Sequence, residues 1–131
     1  SGLKSRLLRK KQAGARFVQT QMVMDAEALK RFVGELAAPL DLPVLAGVLL
    51  LKSARNAAFI NRMVPGANIP QAVIDRLAAS ADPAAEGVAI AAEQVAVYLK
   101  IAQGVHLMAI KAEERIPAIL NQAGLAPLAP G

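Results

Sequence analysis

Residues 43–51 read PVLAGVLLL, a proline followed by a run without a single polar side chain. A strand with one face in water alternates apolar and polar residues, whereas a strand covered on both faces is apolar throughout. Strands of the second kind are typical of parallel sheets that carry helices on both faces. The run therefore predicts a buried strand over residues 44–51 of a parallel α/β sheet.

Helix and strand patterns alternate on both sides of this run. Apolar residues at helical spacing, with capping residues and glycine or proline stops, predict helices over residues 3–12, 26–37, 54–63, 70–79, 82–102 and 112–122. Further strands are predicted over residues 16–22 and 105–110. Alternation of this kind implies right-handed βαβ crossovers and a parallel sheet.

The composition favours a single globular domain. The chain has 131 residues, of which 55% are apolar and only 3% aromatic. A chain of this length can bury a core, and that core must consist mainly of Ala, Val, Leu and Ile. We expect one domain over residues 1–125 and an irregular tail over residues 126–131.

Several function classes are excluded or disfavoured by what the sequence lacks. It contains no cysteine, which excludes disulfides, thiolate metal sites and a cysteine nucleophile. Possible metal ligands do not cluster. No apolar run approaches the ~20 residues that cross a bilayer, and the basic N-terminal segment is not followed by the apolar core of a signal peptide. We expect a cytoplasmic protein without a metal site.

The net charge of +5 is concentrated at one end of the chain. Residues 1–11 carry five cations and no acid, namely Lys4, Arg6, Arg9, Lys10 and Lys11. No aromatic residue is interleaved with them, so the segment is a poor nucleic-acid signal. A basic-tailed protein that binds nucleic acid or a membrane surface remains an alternative. It predicts binding with a steep salt dependence that deletion of residues 1–11 abolishes.

Four parts of the sequence, taken in order, resemble one known family. They are AGARFVQTQMVMDAEALKRF (13–32), PVLAGVLLLKSARNAAFINRMVPGANIP (43–70), the pair SADPAAEGVAIAAE (80–93) and GVHLMAI (104–110), and EERIPAILNQAGL (113–125). Across these four segments the chain is similar to the C-terminal part of members of the methylenetetrahydrofolate reductase family. The resemblance implies a partial (βα)8 TIM barrel made of the last three βα units, strands six to eight, with an extra helix pair between strands seven and eight. A complete barrel needs ~250 residues, so we expect this chain to be a fragment.

The resemblance also implies an activity. Family members use FAD, bound at the C-terminal ends of the barrel strands, and a nicotinamide nucleotide, NAD(P)H, as hydride donor. The reduced flavin passes hydride to 5,10-methylenetetrahydrofolate, which becomes 5-methyltetrahydrofolate. The implied partners are the folate substrate, the remainder of the barrel and further copies of the complete chain, with neither nucleic acid nor membrane.

Site residues follow from the positions that match the family. Gln21 lies in the TQ pair after strand six and is expected to contact a pterin or nicotinamide, since an amide both donates and accepts. Gln19 lies on the same face by strand alternation. Asn56 stands where relatives often have a folate-binding Gln, and Ile60 where some have an aromatic side chain against the folate. Lys52 is either a surface lysine or a contact for folate carboxylates.

The flavin contacts are expected on the N-terminal basic helix. Arg9 and Lys10 match a pair that contacts the FAD diphosphate or adenosine in relatives, and Arg6 lies one turn earlier. Cations neutralise phosphate, and arginine does so through two parallel bonds. The alternative is a solvated helix face.

The remaining expectations concern two departures from the family and three polar residues. Ala112 stands where some relatives have a substrate-binding Arg, and Leu50 where a Pro is common after strand seven. His106, the only histidine, is expected to be a core or interface side chain rather than a catalytic base. Glu113 and Glu114 are expected as first-turn acids that the helix dipole favours.

The catalytic acid of the family lies outside the matched segments. Relatives place a Glu at the end of the first strand and an Asp in the middle of the barrel. We therefore expect the 131 residues to be inactive alone, and to associate because their strand edges are open. The alternative is a non-catalytic half-barrel module that assembles with a partner chain.

Overall fold

A computed structural model describes residues 2–125 of the chain. The helices are α1 (Gly2–Gln12), α2 (Ala26–Arg31), α3 (Ala54–Met63), α4 (Gln71–Ala79), α5 (Pro83–Tyr98) and α6 (Ile116–Gln122). The strands are β1 (Val18–Met22), β2 (Val44–Leu49) and β3 (Gly104–Met108). The α/β class and the predicted order of helices and strands are confirmed. The predicted tail over residues 126–131 lies outside the described residues.

The three strands form one sheet in the order β1-β2-β3. The central strand, β2, is parallel to β1, and Val44, Ala46 and Val48 on it are fully buried. At the other side of β2, Gln103 donates its backbone N–H to the Val44 carbonyl, 3.1 Å away. The apolar run that predicted a strand covered on both faces is thus the centre of the sheet.

Several predicted elements end earlier or change form, among them β2 and the helix predicted over residues 26–37. The strand β2 ends at Leu49, although the Leu50 N–H still donates to the Met108 carbonyl at 2.9 Å and Leu51 is still buried. The predicted helix 26–37 is α-helical only to Arg31, continues as a π-helix over Phe32–Ala37 and closes as a 3-10 turn, Ala38–Leu40. Pro39 accounts for the end of this helical segment, because proline has no N–H to give and its ring collides with the carbonyl four residues earlier.

The chain divides into two compact units. The first comprises Ser1–Gly47 and Val97–His106, and the second Val48–Ala96 and Leu107–Gly131. In the described part of the first unit the core includes Leu7, Leu29, Val44 and Tyr98. The core of the second is built around four fully or almost fully buried side chains, Leu51, Leu77, Val95 and Ile119. The expectation of a single domain over residues 1–125 stays a prediction.

None of the helices within residues 2–125 has both the length and the apolar character that crossing a membrane requires.

A buried tyrosine ties α5 to the end of β1 in the first unit. The Tyr98 hydroxyl donates to the Val23 carbonyl oxygen over 2.7 Å, and the side chain is buried. Burial, and secondly the charge of Asp25, raise the pKa of Tyr98 to about 12. The neutral phenol is therefore the form that the fold stabilises.

Tyr98→Phe is expected to lower the free energy of unfolding by about 1 kcal/mol, because the Val23 carbonyl loses its buried donor. The wild-type protein should keep the tyrosine's contribution below the ordinary tyrosine pKa of 10.0 and lose it as the pH rises toward about 12. The chain has one tyrosine, so phenolate absorbance reports this group alone. A titration midpoint at the ordinary tyrosine value would contradict the buried hydrogen bond.

Candidate functional site

The end of β1 contains an extra residue relative to its partner. Val18 pairs with Val44 and Gln19 with Leu45, but the next pair is Met22 with Gly47. Three steps along β1 therefore match two along β2, which is a β-bulge at Thr20 and Gln21. Bulges redirect side chains and are frequent beside active sites. The sequence pattern predicted simple alternation here and gave no sign of the bulge.

Thr20 holds the bulge in place through its hydroxyl. Its Oγ1 accepts from the Gly47 backbone N–H at 2.9 Å and donates to the Gln21 carbonyl at 2.7 Å. The ladder resumes at once, since the Val23 N–H donates to the Gly47 carbonyl at 2.9 Å. The polar end of the strand thus has two roles: Thr20 replaces a missing strand bond, and Gln21 is presented to solvent.

Gly47 is required by the same bulge. A Cβ at this position would lie 2.5 Å from the Gln21 carbonyl oxygen and 2.9 Å from that of Thr20. Those distances are shorter than real Cβ contacts. The glycine in the middle of the apolar run therefore admits the backbone of β1, and the position of Gln21 depends on it.

Thr20→Val is expected to cost about 1–3 kcal/mol of unfolding free energy, because valine has nearly the same shape but leaves the Gly47 N–H without its acceptor. The exposed neighbour offers a matched control: Gln19→Ala should change stability by less than about 0.5 kcal/mol. Chemical denaturation followed by circular dichroism measures both. Equal stability of Thr20→Val and wild type would show that the hydroxyl does not hold the bulge.

The side chain of Gln21 is available to a ligand. It is exposed, and none of its hydrogen bonds within residues 2–125 involves the side-chain amide. Gln19 is exposed as well, and the half-buried Thr20 lies between them. Gln21 therefore offers both a donor and an acceptor at the end of the strand.

The basic residues predicted to bind FAD share one face of α1. Arg6, Arg9 and Lys10 are separated by three and four residues, the spacing of neighbours on a helix surface, and all three are exposed. Within the described chain none of them forms an ion pair. Lys11 differs, since its Nζ donates to the Leu40 carbonyl. Leu7 of the same helix is buried.

Asn56 has a structural role that the sequence did not indicate. Ser53 caps α3 by accepting from the Asn56 N–H at 3.0 Å, and the Asn56 Oδ1 in turn accepts from the Lys52 N–H at 3.1 Å. This reciprocal pattern is a variant of the capping box. It occupies the amide oxygen and leaves the Nδ2 donor for a ligand. Ile60, one turn further along α3, is half-buried.

A cleft in the second unit lies beside the ends of β2 and β3. It has a volume of about 200 Å³. Its apolar walls are Leu50, Leu51, Ala84 and Ala112, and its charged walls are Lys52, Lys111 and Arg115. Sequence reasoning missed it, because Lys52 is far along the chain from Lys111 and Arg115. We call it the basic cleft.

The remaining polar candidates do not form a catalytic group. His106 is exposed on β3, so it is not a core side chain of this chain, and the expectation that it lies in an interface stays a prediction. Glu113 and Glu114 are exposed in a 3-10 turn, Glu113–Arg115, that precedes α6. Across residues 2–125 no three His, Asp or Glu side chains come together as metal ligands do.

The fold and the polar strand ends define a class of protein. A parallel α/β sheet with exposed polar side chains where its strands end is the arrangement of enzymes that bind ligands at the carboxyl ends of strands. The family model described as methylenetetrahydrofolate reductase matches residues 2–124. The chain belongs to the methylenetetrahydrofolate reductase family, and the resemblance seen in the sequence is confirmed. Membership implies oxidoreductase chemistry on a folate. A search of curated proteins found no match.

Proposed function

We propose that this chain forms the last three βα units of a (βα)8 barrel that reduces 5,10-methylenetetrahydrofolate to 5-methyltetrahydrofolate with NAD(P)H and FAD. The family match over residues 2–124 carries the proposal. A three-stranded sheet whose order follows the sequence supports it, because consecutive strands are neighbours around a barrel. Helices α3, α4 and α5 between β2 and β3 supply the crossover and the extra helix pair.

The residues of α1 fit the phosphates of FAD. Three exposed cations without ion pairs in the described chain, Arg6, Arg9 and Lys10, lie on one helix face. Such a face neutralises a diphosphate, and the two guanidinium groups can each give paired bonds. Bound FAD would supply the hydride-carrying ring. Arg9 and Lys10 also lie in the last turn of α1, where the helix dipole favours cations.

Gln21 is proposed to orient the folate or the nicotinamide. Its exposed side chain lies in the bulge near the end of β1, and the Thr20 and Gly47 contacts fix the backbone there. An amide recognises a group that offers both a donor and an acceptor, as the pterin edge and the nicotinamide carboxamide do. Asn56 can add its Nδ2 donor, while its Oδ1 already accepts from the Lys52 N–H. Ile60 can add apolar contact.

The general acid is assigned to the part of the barrel that precedes β1 in the family. The remainder of the barrel is accordingly the principal partner, and the complete enzyme is proposed to be a cytoplasmic homo-oligomer. This chain is proposed to bind the FAD phosphates through the cations of α1. It is proposed to orient the folate or the nicotinamide through the amide of Gln21.

Coexpression with a segment that supplies strands one to five of a family member tests the proposal. We expect flavin absorbance that survives desalting, and NAD(P)H oxidation that depends on methylenetetrahydrofolate. Gln21→Leu should lower kcat/KM about 10- to 100-fold, the value of hydrogen bonds lost from a buried polar ligand. Exposed Gln122 on α6 provides the matched control, Gln122→Leu, which should leave kcat/KM unchanged.

Each result of that experiment has one meaning. Flavin retention without turnover would favour the non-catalytic half-barrel module over the reductase. Failure to retain flavin, with both segments folded and associated, would overturn the proposal. Retention of flavin by the 131-residue chain alone would contradict the expectation that it needs the rest of the barrel.

A further inference from the structure

Four polar groups at the end of β1 and just beyond it are bonded within the first unit. The Gly47 N–H donates to Thr20 Oγ1 at 2.9 Å, and the same hydroxyl donates to the Gln21 carbonyl at 2.7 Å. The Val23 N–H donates to the Gly47 carbonyl at 2.9 Å, and the Val23 carbonyl accepts from the Tyr98 hydroxyl at 2.7 Å. The backbone on both sides of Gln21 is therefore fixed, while the Gln21 side chain is exposed.

The bond from Tyr98 differs from the others in its origin. Thr20 and Gly47 belong to the two paired strands, β1 and β2. Tyr98 is the last residue of α5, and its side chain is only 3% exposed. Among these four bonds, only the one from Tyr98 reaches the strand end from outside the two strands. It therefore fixes the strand end against a second element of the first unit.

Tyr98 is itself held firmly enough to act as an anchor. Its backbone carbonyl accepts from the Ile101 N–H at 3.0 Å and from the Ala102 N–H at 2.8 Å. This turn leads into β3 at Gly104, which packs so closely on Leu45 that a Cβ there would lie 2.7 Å from Leu45 Cδ2. Burial raises the pKa of Tyr98 to about 12, so the hydroxyl keeps its proton, and with it the bond, at neutral pH.

A side chain that binds a ligand depends on the backbone that carries it. Such groups are held to within roughly 0.5 Å by packing and by the hydrogen bonds behind them, and a displacement of about 1 Å is costly in rate. Loss of the Tyr98 hydroxyl would leave the Val23 carbonyl without its donor. The chain at Val23 would then be free to shift, and Gln21, two residues earlier, would shift with it.

We propose that Tyr98 is a positioning residue, which holds the Gln21 amide in place for its ligand through the bond to the Val23 carbonyl. The identity of that ligand, a folate or a nicotinamide, rests on the proposed function. The anchoring of the strand end rests on the bond, the burial of Tyr98 and the turn that follows it.

Amide hydrogen exchange in the full chain tests the anchor without flavin or folate. Tyr98→Phe keeps the ring and removes the hydroxyl, and we expect exchange at the Val23 N–H to become about 3- to 10-fold faster, the equivalent of one neutral hydrogen bond. Gln103→Leu is the matched control, because it also removes one bond to a part-buried backbone group of the first unit. Gln103 Oε1 accepts from the Val44 N–H at 2.7 Å.

The control acts at the other end of the sheet, since Val44 pairs with Val18 at the start of β1. Gln103→Leu should therefore speed exchange at Val44 and leave Val23 unchanged. A loss of stability in the whole unit would speed exchange at Val23 equally in both variants. That equality would overturn the proposal, because Tyr98 would then have only a general structural role.

Kinetics of the coexpressed enzyme test whether the anchor acts through Gln21. Tyr98→Phe should lower kcat/KM about 3- to 10-fold, and Gln103→Leu should leave kcat/KM unchanged. A double-mutant cycle measures the coupling. We expect Tyr98→Phe combined with Gln21→Leu to be no slower than Gln21→Leu alone, because a displaced leucine has no ligand bond left to lose.

The two experiments fail in distinguishable ways. Losses of kcat/KM that multiply in the double variant would overturn the proposal, while the wild-type enzyme still retains flavin and turns over. Failure of the proposed function appears instead in the wild type, as a lack of flavin retention. In that case faster exchange at Val23 in Tyr98→Phe alone still supports Tyr98 as the anchor of Gln21, and unchanged exchange there overturns it.

Discussion

Gly87→Ala is expected to remove most of the stability of the second unit. A Cβ at this position would occupy the space of the Leu51 carbonyl oxygen. Backbone cannot move aside as a flexible side chain can, so α5 would have to lift from the segment that contains Leu51. The buried contacts of Val88, Ala91 and Val95 would open with it. We expect a loss of about 4 kcal/mol or more, against a total of about 5–15 kcal/mol for a typical domain.

Chemical denaturation followed by circular dichroism measures the effect of Gly87→Ala, and a second glycine provides its control. Gly34 lies in the π-helix Phe32–Ala37, and a Cβ added there would have no neighbouring atom within 4 Å. Gly34→Ala should leave the unfolding midpoint unchanged or raise it slightly, because alanine favours helix by up to about 1 kcal/mol. Similar midpoints for Gly87→Ala and Gly34→Ala would show that α5 does not rest on the Leu51 carbonyl.

Gly47→Ala is expected to displace the end of β1 together with Gln21. The new methyl carbon would lie 2.5 Å from the Gln21 carbonyl oxygen and 2.8 Å from its carbon. Relief requires the bulge to move away from β2, which breaks the bond from the Gly47 N–H to Thr20 Oγ1. The cost should be about 2–4 kcal/mol, from overpacking and one unsatisfied buried donor.

The displacement from Gly47→Ala should be larger at the site than elsewhere. Amide hydrogen exchange measures it, and we expect faster exchange at Val23, whose N–H donates to the Gly47 carbonyl. Ala46→Gly, at the neighbouring buried position, is a control that destabilises the strand without entering the bulge. Unchanged exchange at Val23 in Gly47→Ala would contradict the close approach of β1.

The features that sequence could predict are those set by local pattern. The apolar run over residues 44–51 placed the central strand. The helix ends were less accurate, because α5 closes at Tyr98 through turns that involve no distinctive residue.

The features that sequence could not predict depend on contacts between distant segments. The bulge arises from how β1 pairs with β2, and no property of Thr20 or Gln21 alone reports that pairing. The second role of Asn56, as acceptor from the Lys52 N–H, can be recognised only from the geometry of the turn at Lys52. The basic cleft forms because the turn at Lys111 lies beside the end of β2, and the sequence does not show that these two segments are neighbours. Family resemblance pointed to Gln21, but only the backbone geometry explains how its side chain is presented.

Because of the bulge, the direction of the Gln21 side chain depends on how many residues β1 contains at this point, rather than on which residues they are. Three steps along β1, from Gln19 to Met22, match two steps along β2. The number of residues between Gln19 and Met22 therefore determines which way the Gln21 side chain points. A deletion of one residue there would restore regular pairing and reverse the faces of the residues around it. An insertion or deletion within this short segment is therefore expected to disturb the orientation of Gln21 more than most substitutions in it.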